Sequence, residues 1–91
     1  MPQIKIPTPL RAYTDNQAQI AVSGETVGAA LSDLVEQYPD LRQHLFEGDT
    51  LRQFVNVFIG EEDVRFLDGV DTELAPEDNL RIIPSIAGGQ Q

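Results

Sequence analysis

The sequence predicts an α+β domain, a mixed sheet of four to five strands with one main helix and a short second helix. Three observations predict it. Period-two or β-branched segments stand at both ends of the chain and again at residues 54–59, which is the signature of strands. One stretch with helical spacing, residues 26–38, separates the early strands from the late ones. At 91 residues, the chain has room for one hydrophobic core and not for two.

Ile4 and Ile6 alternate with Gln3 and Lys5, as in a half-buried strand, and Pro7-Thr8-Pro9 ends it. After residues 10–14 the pair Asp15-Asn16 favours a turn. Gln17-Ala18-Gln19-Ile20-Ala21-Val22 then alternates with Ala18, Ile20 and Val22 on one face, so the first two strands form a hairpin with a long connection. Ser23-Gly24 breaks the second strand. Val27, Ala30, Leu31, Leu34, Val35 and Tyr38 share one helical face, with Thr26 placed to cap the helix start. Pro39 stops this helix, because proline has no amide donor and pushes the residue before it out of helical geometry. Asp40 with Gln43 resembles a capping box for a short second helical turn, on which Leu41 and Leu45 lie one turn apart.

Glu47-Gly48-Asp49-Thr50 reads as a loop, and Phe54-Val55-Asn56-Val57-Phe58-Ile59 as the strongest strand in the chain. Val55, Val57 and Ile59 are β-branched and suit packing under the helix, which puts Phe54, Asn56 and Phe58 on the opposite face. There the two aromatics either meet a partner or are covered by the chain's own loops. Gly60-Glu61-Glu62-Asp63 is an acidic turn into a short strand Val64-Arg65-Phe66, closed by Asp68-Gly69. Its three carboxylates lack the glycine-spaced oxygen ligands of a calcium loop and read as a solvated turn. Ala75-Pro76-Glu77-Asp78-Asn79 turns the chain into the last strand, and Pro84 removes one ladder donor there, as suits a strand leaving its sheet. The order strand, strand, helix, short helix, strand, short strand, strand fits a β-grasp (ubiquitin-like) arrangement, with first and last strands side by side in parallel. The globular domain is expected over residues 1–87, followed by a flexible tail over residues 88–91.

Composition narrows the chemistry. The chain has no cysteine and a single histidine, His44, which removes disulfides, thiolate nucleophiles, iron–sulfur clusters and zinc-thiolate sites. No second imidazole completes a metal pair, so His44 is expected to be solvent-facing or capping, and neither a catalytic residue nor a metal site is expected. A net charge of -9 repels phosphate backbones and anionic membranes, which disfavours nucleic acid and membrane partners. It favours basic proteins, or serves solubility alone. No apolar run approaches the ~20 residues of a membrane-spanning helix. Met1-Pro2-Gln3-Ile4-Lys5 lacks the layout of a secretion signal, so a cytoplasmic location is expected. Lys5 is the only lysine, which limits any conjugation of the chain to itself to Lys5 or the N-terminus.

The informative segment is Ile83-Pro84-Ser85-Ile86-Ala87-Gly88-Gly89-Gln90-Gln91, where a buried-type strand gives way to small residues. Glycines lack the side chain that would bar a narrow channel, so Ala87, Gly88 and Gly89 suit threading into a partner's active site. A Gly-Gly near a terminus is weak evidence alone. Together with Ile6-Pro7-Thr8, Thr26-Val27-Gly28-Ala29, Phe54-Val55-Asn56-Val57 and Glu62-Asp63-Val64-Arg65-Phe66, however, it resembles the MoaD/ThiS group of ubiquitin-like sulfur carriers, and most nearly the branch that carries sulfur for cysteine synthesis.

That resemblance implies a carrier protein, not an enzyme, whose working atom is the carboxylate of Gly89. It implies an E1-like adenylating and sulfurtransferase partner that spends ATP on an acyl-adenylate, and sulfur then displaces AMP to leave a terminal thiocarboxylate. A sulfhydrylase partner carrying pyridoxal phosphate would consume that sulfur, so no cofactor is bound by the carrier itself. Gln90-Gln91 departs from the simplest family pattern, in which the second glycine is last, and implies cleavage between Gly89 and Gln90 by a zinc-dependent processing peptidase. Phe54 and Phe58 are the candidate partner surface. The same fold and tail also serve the small subunit of molybdopterin synthase, ubiquitin-like protein modifiers, and, without the tail, plain interaction domains.

Overall fold

The computed structural model describes residues 1–48 and 50–84. Nine regular elements follow in order: strands β1 (Gln3–Lys5) and β2 (Gln19–Ala21), helices α1 (Val27–Gln37) and α2 (Arg42–Leu45), and strands β3 (Phe46–Glu47), β4 (Thr50–Leu51), β5 (Val55–Ile59), β6 (Glu62–Asp63) and β7 (Asn79–Pro84). Five of the strands form one sheet in the order β2-β1-β7-β5-β6, and β3 and β4 form a separate pair. β1 and β7 run parallel while the other pairs are antiparallel. This is the β-grasp arrangement expected from the element order.

Register makes one face of the sheet apolar. Ile4 stands opposite both Ile20 and Leu80, and Val57 opposite Ile82, so the inward positions of four strands fall together. They are buried with Val27, Ala30, Leu31, Leu34 and Val35 of α1 and with Leu41 and Leu45. Each such side chain contributes about 1.5–3 kcal/mol on burial. Thr26 caps α1 as expected, its Oγ1 accepting from the Ala29 amide at 3.1 Å. Asp33 and Gln37 tie the helix to the end of β2: the Asp33 carboxylate accepts from the Ser23 amide at 2.9 Å, and Gln37 Nε2 donates to the Ala21 carbonyl at 3.0 Å. Gly24 allows this close approach, since a Cβ at its position would lie 2.6 Å from the Ala30 nitrogen and its φ is +156°.

Several local expectations need correction. Ala18 is exposed and precedes β2, because the buried Thr14, with Oγ1 3.0 Å from the Gln17 carbonyl, holds residues 14–17 in a turn. The Asp40–Gln43 capping box does not form: a 3-10 turn over Pro39–Leu41 runs into α2 through Leu41, itself helical at φ -72° and ψ -23°, and neither turn has a side-chain cap. The expected loop at residues 47–50 includes the ends of a two-stranded pair, with Phe46 opposite Leu51 and Glu47 opposite Thr50. Val64–Phe66 is a 3-10 helix and not a strand, because the Asp63 carboxylate takes the Arg65 amide at 2.8 Å and turns the chain. His44 is half-buried and does not cap. Its ring lies 4.3 Å from that of Tyr13, and its Nε2 is buried without a hydrogen-bond partner among the described residues.

Candidate functional site

The last described residue, Pro84, stands opposite Val55 at the start of β5. The tail residues Ala87, Gly88, Gly89 and Gln90, on which threading, activation and processing were placed, lie outside the described residues. The surface around Pro84 and Val55 lies within the described residues. Its edge is held by Arg65, whose Nη2 donates to the carbonyls of Gln53 at 2.7 Å and Val55 at 3.0 Å, while Nη1 donates to Asn56 Oδ1 at 2.9 Å. Three bonds from one planar fork fix the entry to β5 as a single rigid corner. Nothing in the sequence marked Arg65 for this, since its partners are nine to twelve residues away and follow no short-range pattern.

The face of the sheet turned away from α1 carries a rung of aligned residues. Asp63 on β6 is opposite Phe58 on β5, Phe58 is opposite Arg81 on β7, and Arg81 is opposite Lys5 on β1. Direct opposition puts their side chains on one face. The Arg81 guanidinium lies 5.9 Å from the centre of the Phe58 ring and donates to the Gly60 carbonyl at 3.0 Å. Arg52 repeats the arrangement, 6.0 Å from the Phe54 ring and bonded through Nε to the Gln43 carbonyl at 2.9 Å.

Phe58 on β5 lies on the open face with the exposed Ile83 opposite Asn56, whereas Phe54, also exposed, stands in the turn before β5 and outside the strand register. A guanidinium group lies near each of the two rings. Each such pairing contributes about 0.5–1 kcal/mol at an exposed position. Although the whole chain carries -9, Lys5 and Arg81 stand on this face and Arg65 at its edge, with Asp63 in the same rung and the exposed Glu61 and Glu62 beside it. Among the described residues no group of His, Asp and Glu side chains is placed to hold a metal, and no helix is long and apolar enough to cross a membrane.

A profile described as the ThiS family matches residues 4–89, from the first strand through the second glycine of the tail. The chain belongs to the ThiS family. Over 89 residues it is 39% identical to the sulfur carrier protein CysO of Mycobacterium tuberculosis, covering 94% of this chain and 96% of that one. Among solved structures, it is similar to the crystal structure of the Amycolatopsis orientalis BexX/CysO complex with a TM-score of 0.89 at 32% identity, over 98% of this chain and 100% of the other. The solution structure of small archaeal modifier protein 1 from Methanosarcina acetivorans is similar with a TM-score of 0.87 at 30% identity, over 97% and 95% of the two chains. These ThiS-family likenesses run the length of the domain, so the glycine pair is part of a whole-chain resemblance rather than an isolated motif.

Proposed function

We propose that this ThiS-family protein is a sulfur carrier that accepts sulfur as a thiocarboxylate on Gly89 and supplies it for cysteine biosynthesis. The observation that supports the reading most is the family match extending through Gly89 in a chain 39% identical to a sulfur carrier protein. Cleavage between Gly89 and Gln90 by a zinc-dependent peptidase would first free the carboxylate. A carboxylate resists nucleophiles because its charge is delocalised. An E1-like partner overcomes this with ATP: a Gly89 oxygen attacks the α-phosphorus, pyrophosphate leaves, and a mixed anhydride with AMP remains. A sulfur nucleophile then attacks the carbonyl carbon and AMP departs, so one carboxylate oxygen leaves with the nucleotide and one sulfur takes its place. A sulfhydrylase partner, with its own pyridoxal phosphate, would draw the sulfur onto an electrophilic amino-acid intermediate.

The fold supports this division of labour. Gly89 is five residues beyond Pro84, and five residues span at most ~18 Å when extended. That is enough for the terminus to enter a partner's active site while the Phe54 and Phe58 face rests on the partner's surface. The carrier provides the address and the reacting terminus, and the partners provide the catalysis.

Intact mass is the test. The chain, treated with the peptidase and then with ATP, sulfide and an E1-like enzyme, should lose Gln90 and Gln91 and exchange one oxygen for sulfur. Sulfur loading of the untrimmed chain would refute the processing step, and absence of loading on a chain ending at Gly89 would refute the carrier role. A second reading, conjugation to amines of other proteins, is favoured by the likeness to small archaeal modifier protein 1. It predicts covalent adducts of higher mass and is separated from the first by the same measurement.

A further inference from the structure

Phe66 is the most exposed large apolar side chain among the described residues, at 85%. Its exposure is imposed and not the fraying of a loose loop. The 3-10 helix that carries it turns Val64 into the core, uses Arg65 to clamp β5, and leaves Phe66 pointing out. The Asp63 carboxylate, bonded to the Arg65 amide, fixes the start of that helix. Phe66 and Phe58 wall a groove of about 490 Å³ whose remaining lining is Glu61, Glu62 and Asp63. Glu61 and Glu62 are exposed, and the Arg81 guanidinium is engaged by Phe58 and the Gly60 carbonyl.

We propose that this groove is a docking site for a basic side chain of a partner protein, an arginine or lysine flanked by an apolar residue. The exposed Phe66 ring attracts a cation through its face, and the carboxylates of Glu61, Glu62 and Asp63 add a field of the same preference. The exposed ring of Phe66 gives the apolar neighbour a surface to cover. Phe58 belongs both to this groove and to the open face of the sheet, so a partner resting on that face continues into the groove. Polarity then orients the partner. A basic group is attracted at the β5–β6 edge and repelled above Arg81 and Lys5, so only one direction of approach satisfies both ends. This inference concerns recognition and stands whether or not the tail carries sulfur.

The test uses the full chain, labelled with nitrogen-15, and two capped tripeptides, Leu-Arg-Leu and Leu-Glu-Leu. The arginyl peptide should shift the amides of Phe58, Glu61, Glu62, Asp63 and Phe66, with an affinity that falls as salt rises. The glutamyl peptide should leave them unmoved. Phe66→Ala and the double change Glu61→Gln with Glu62→Gln should each weaken binding about two- to fivefold, with the remaining amide spectrum unchanged to confirm folding. The proposal is overturned if both peptides bind alike, or if the shifts fall elsewhere on the sheet. It is equally overturned if calcium or magnesium alone reproduces the shifts, which makes the groove a cation site, or if they grow with protein concentration, which makes it a contact between copies.

Discussion

Pro84 and Val55 face each other across the antiparallel β5–β7 pair, and the carbonyl of that same Val55 accepts from Arg65 at 3.0 Å. The strand start that pairs with Pro84 is therefore braced from a third element, the 3-10 helix after β6. Under the proposed carrier role, a rigid platform beside Pro84 would favour productive encounters, because each degree of freedom there lowers their fraction.

Replacing Arg65 with alanine should cost about 1–2 kcal/mol of stability, discounted for the exposure of part of this network. Lysine has one ammonium and cannot span the three acceptors, so Arg65→Lys should recover little. Chemical denaturation of both variants measures this, and equal stability of the lysine variant and the parent would refute the clamp.

Phe54→Ala should raise the KM of the E1-like enzyme for this carrier about tenfold with kcat little changed, as expected for the loss of a docking contact made equally in ground and transition states. Initial rates at varied carrier concentration decide it. A fall in kcat alone would place Phe54 in the chemical step and contradict the docking role.

Gly24→Ala should be severe. The added methyl would meet the Ala30 nitrogen at 2.6 Å and the Ala29 carbonyl carbon at 2.9 Å, both backbone atoms of α1 that cannot rotate aside. A loss of about 3 kcal/mol is expected from the overpacking and the strained φ together, read as a thermal midpoint lowered by more than about 10 °C.

His44→Phe should leave stability unchanged or raise it by up to about 1 kcal/mol. The buried Nε2 has no partner among the described residues, so an isosteric apolar ring removes an unsatisfied group while keeping the contact with Tyr13. A marked destabilisation in thermal melts would show that the imidazole has a hydrogen bond to lose.

Removing Gly88 to Gln91 should abolish sulfur loading while stability stays within about 0.5 kcal/mol of the parent, because every core residue and strand pairing among the described residues lies at or before Pro84. Intact mass and a thermal melt on one sample check both halves. Retained transfer without these residues would mean that the protein acts through its surface alone.

Much of the fold was legible because its elements repeat at the periods of a strand and a helix. The α1 face, the Thr26 cap, the stop at Pro39 and the inward positions of β5 all came from local spacing, and each depends on neighbours within about one turn or one pleat. What misled were places where a side chain overrode the backbone pattern. Asp63 folded an apparent strand into a 3-10 turn, Thr14 delayed β2, and Leu41 carried one helical turn into the next without the expected cap. The open face was half legible: Phe58 followed from alternation, while the arginine beside its ring did not.

By itself the sequence determined the α+β class, the parallel meeting of first and last strands, the absence of thiol chemistry and the small-residue tail, all of which are properties of composition or of short-range periodicity. Only the tertiary structure decided that Asp63, Phe58, Arg81 and Lys5 stand in one rung, that Arg65 braces the start of β5, and that Phe66 is held outward beside three carboxylates. The reason is physical. Register between strands far apart in the chain is set by burying the opposite, apolar face, so the order of residues on the open face follows from the packing beneath it and not from any pattern among those residues themselves.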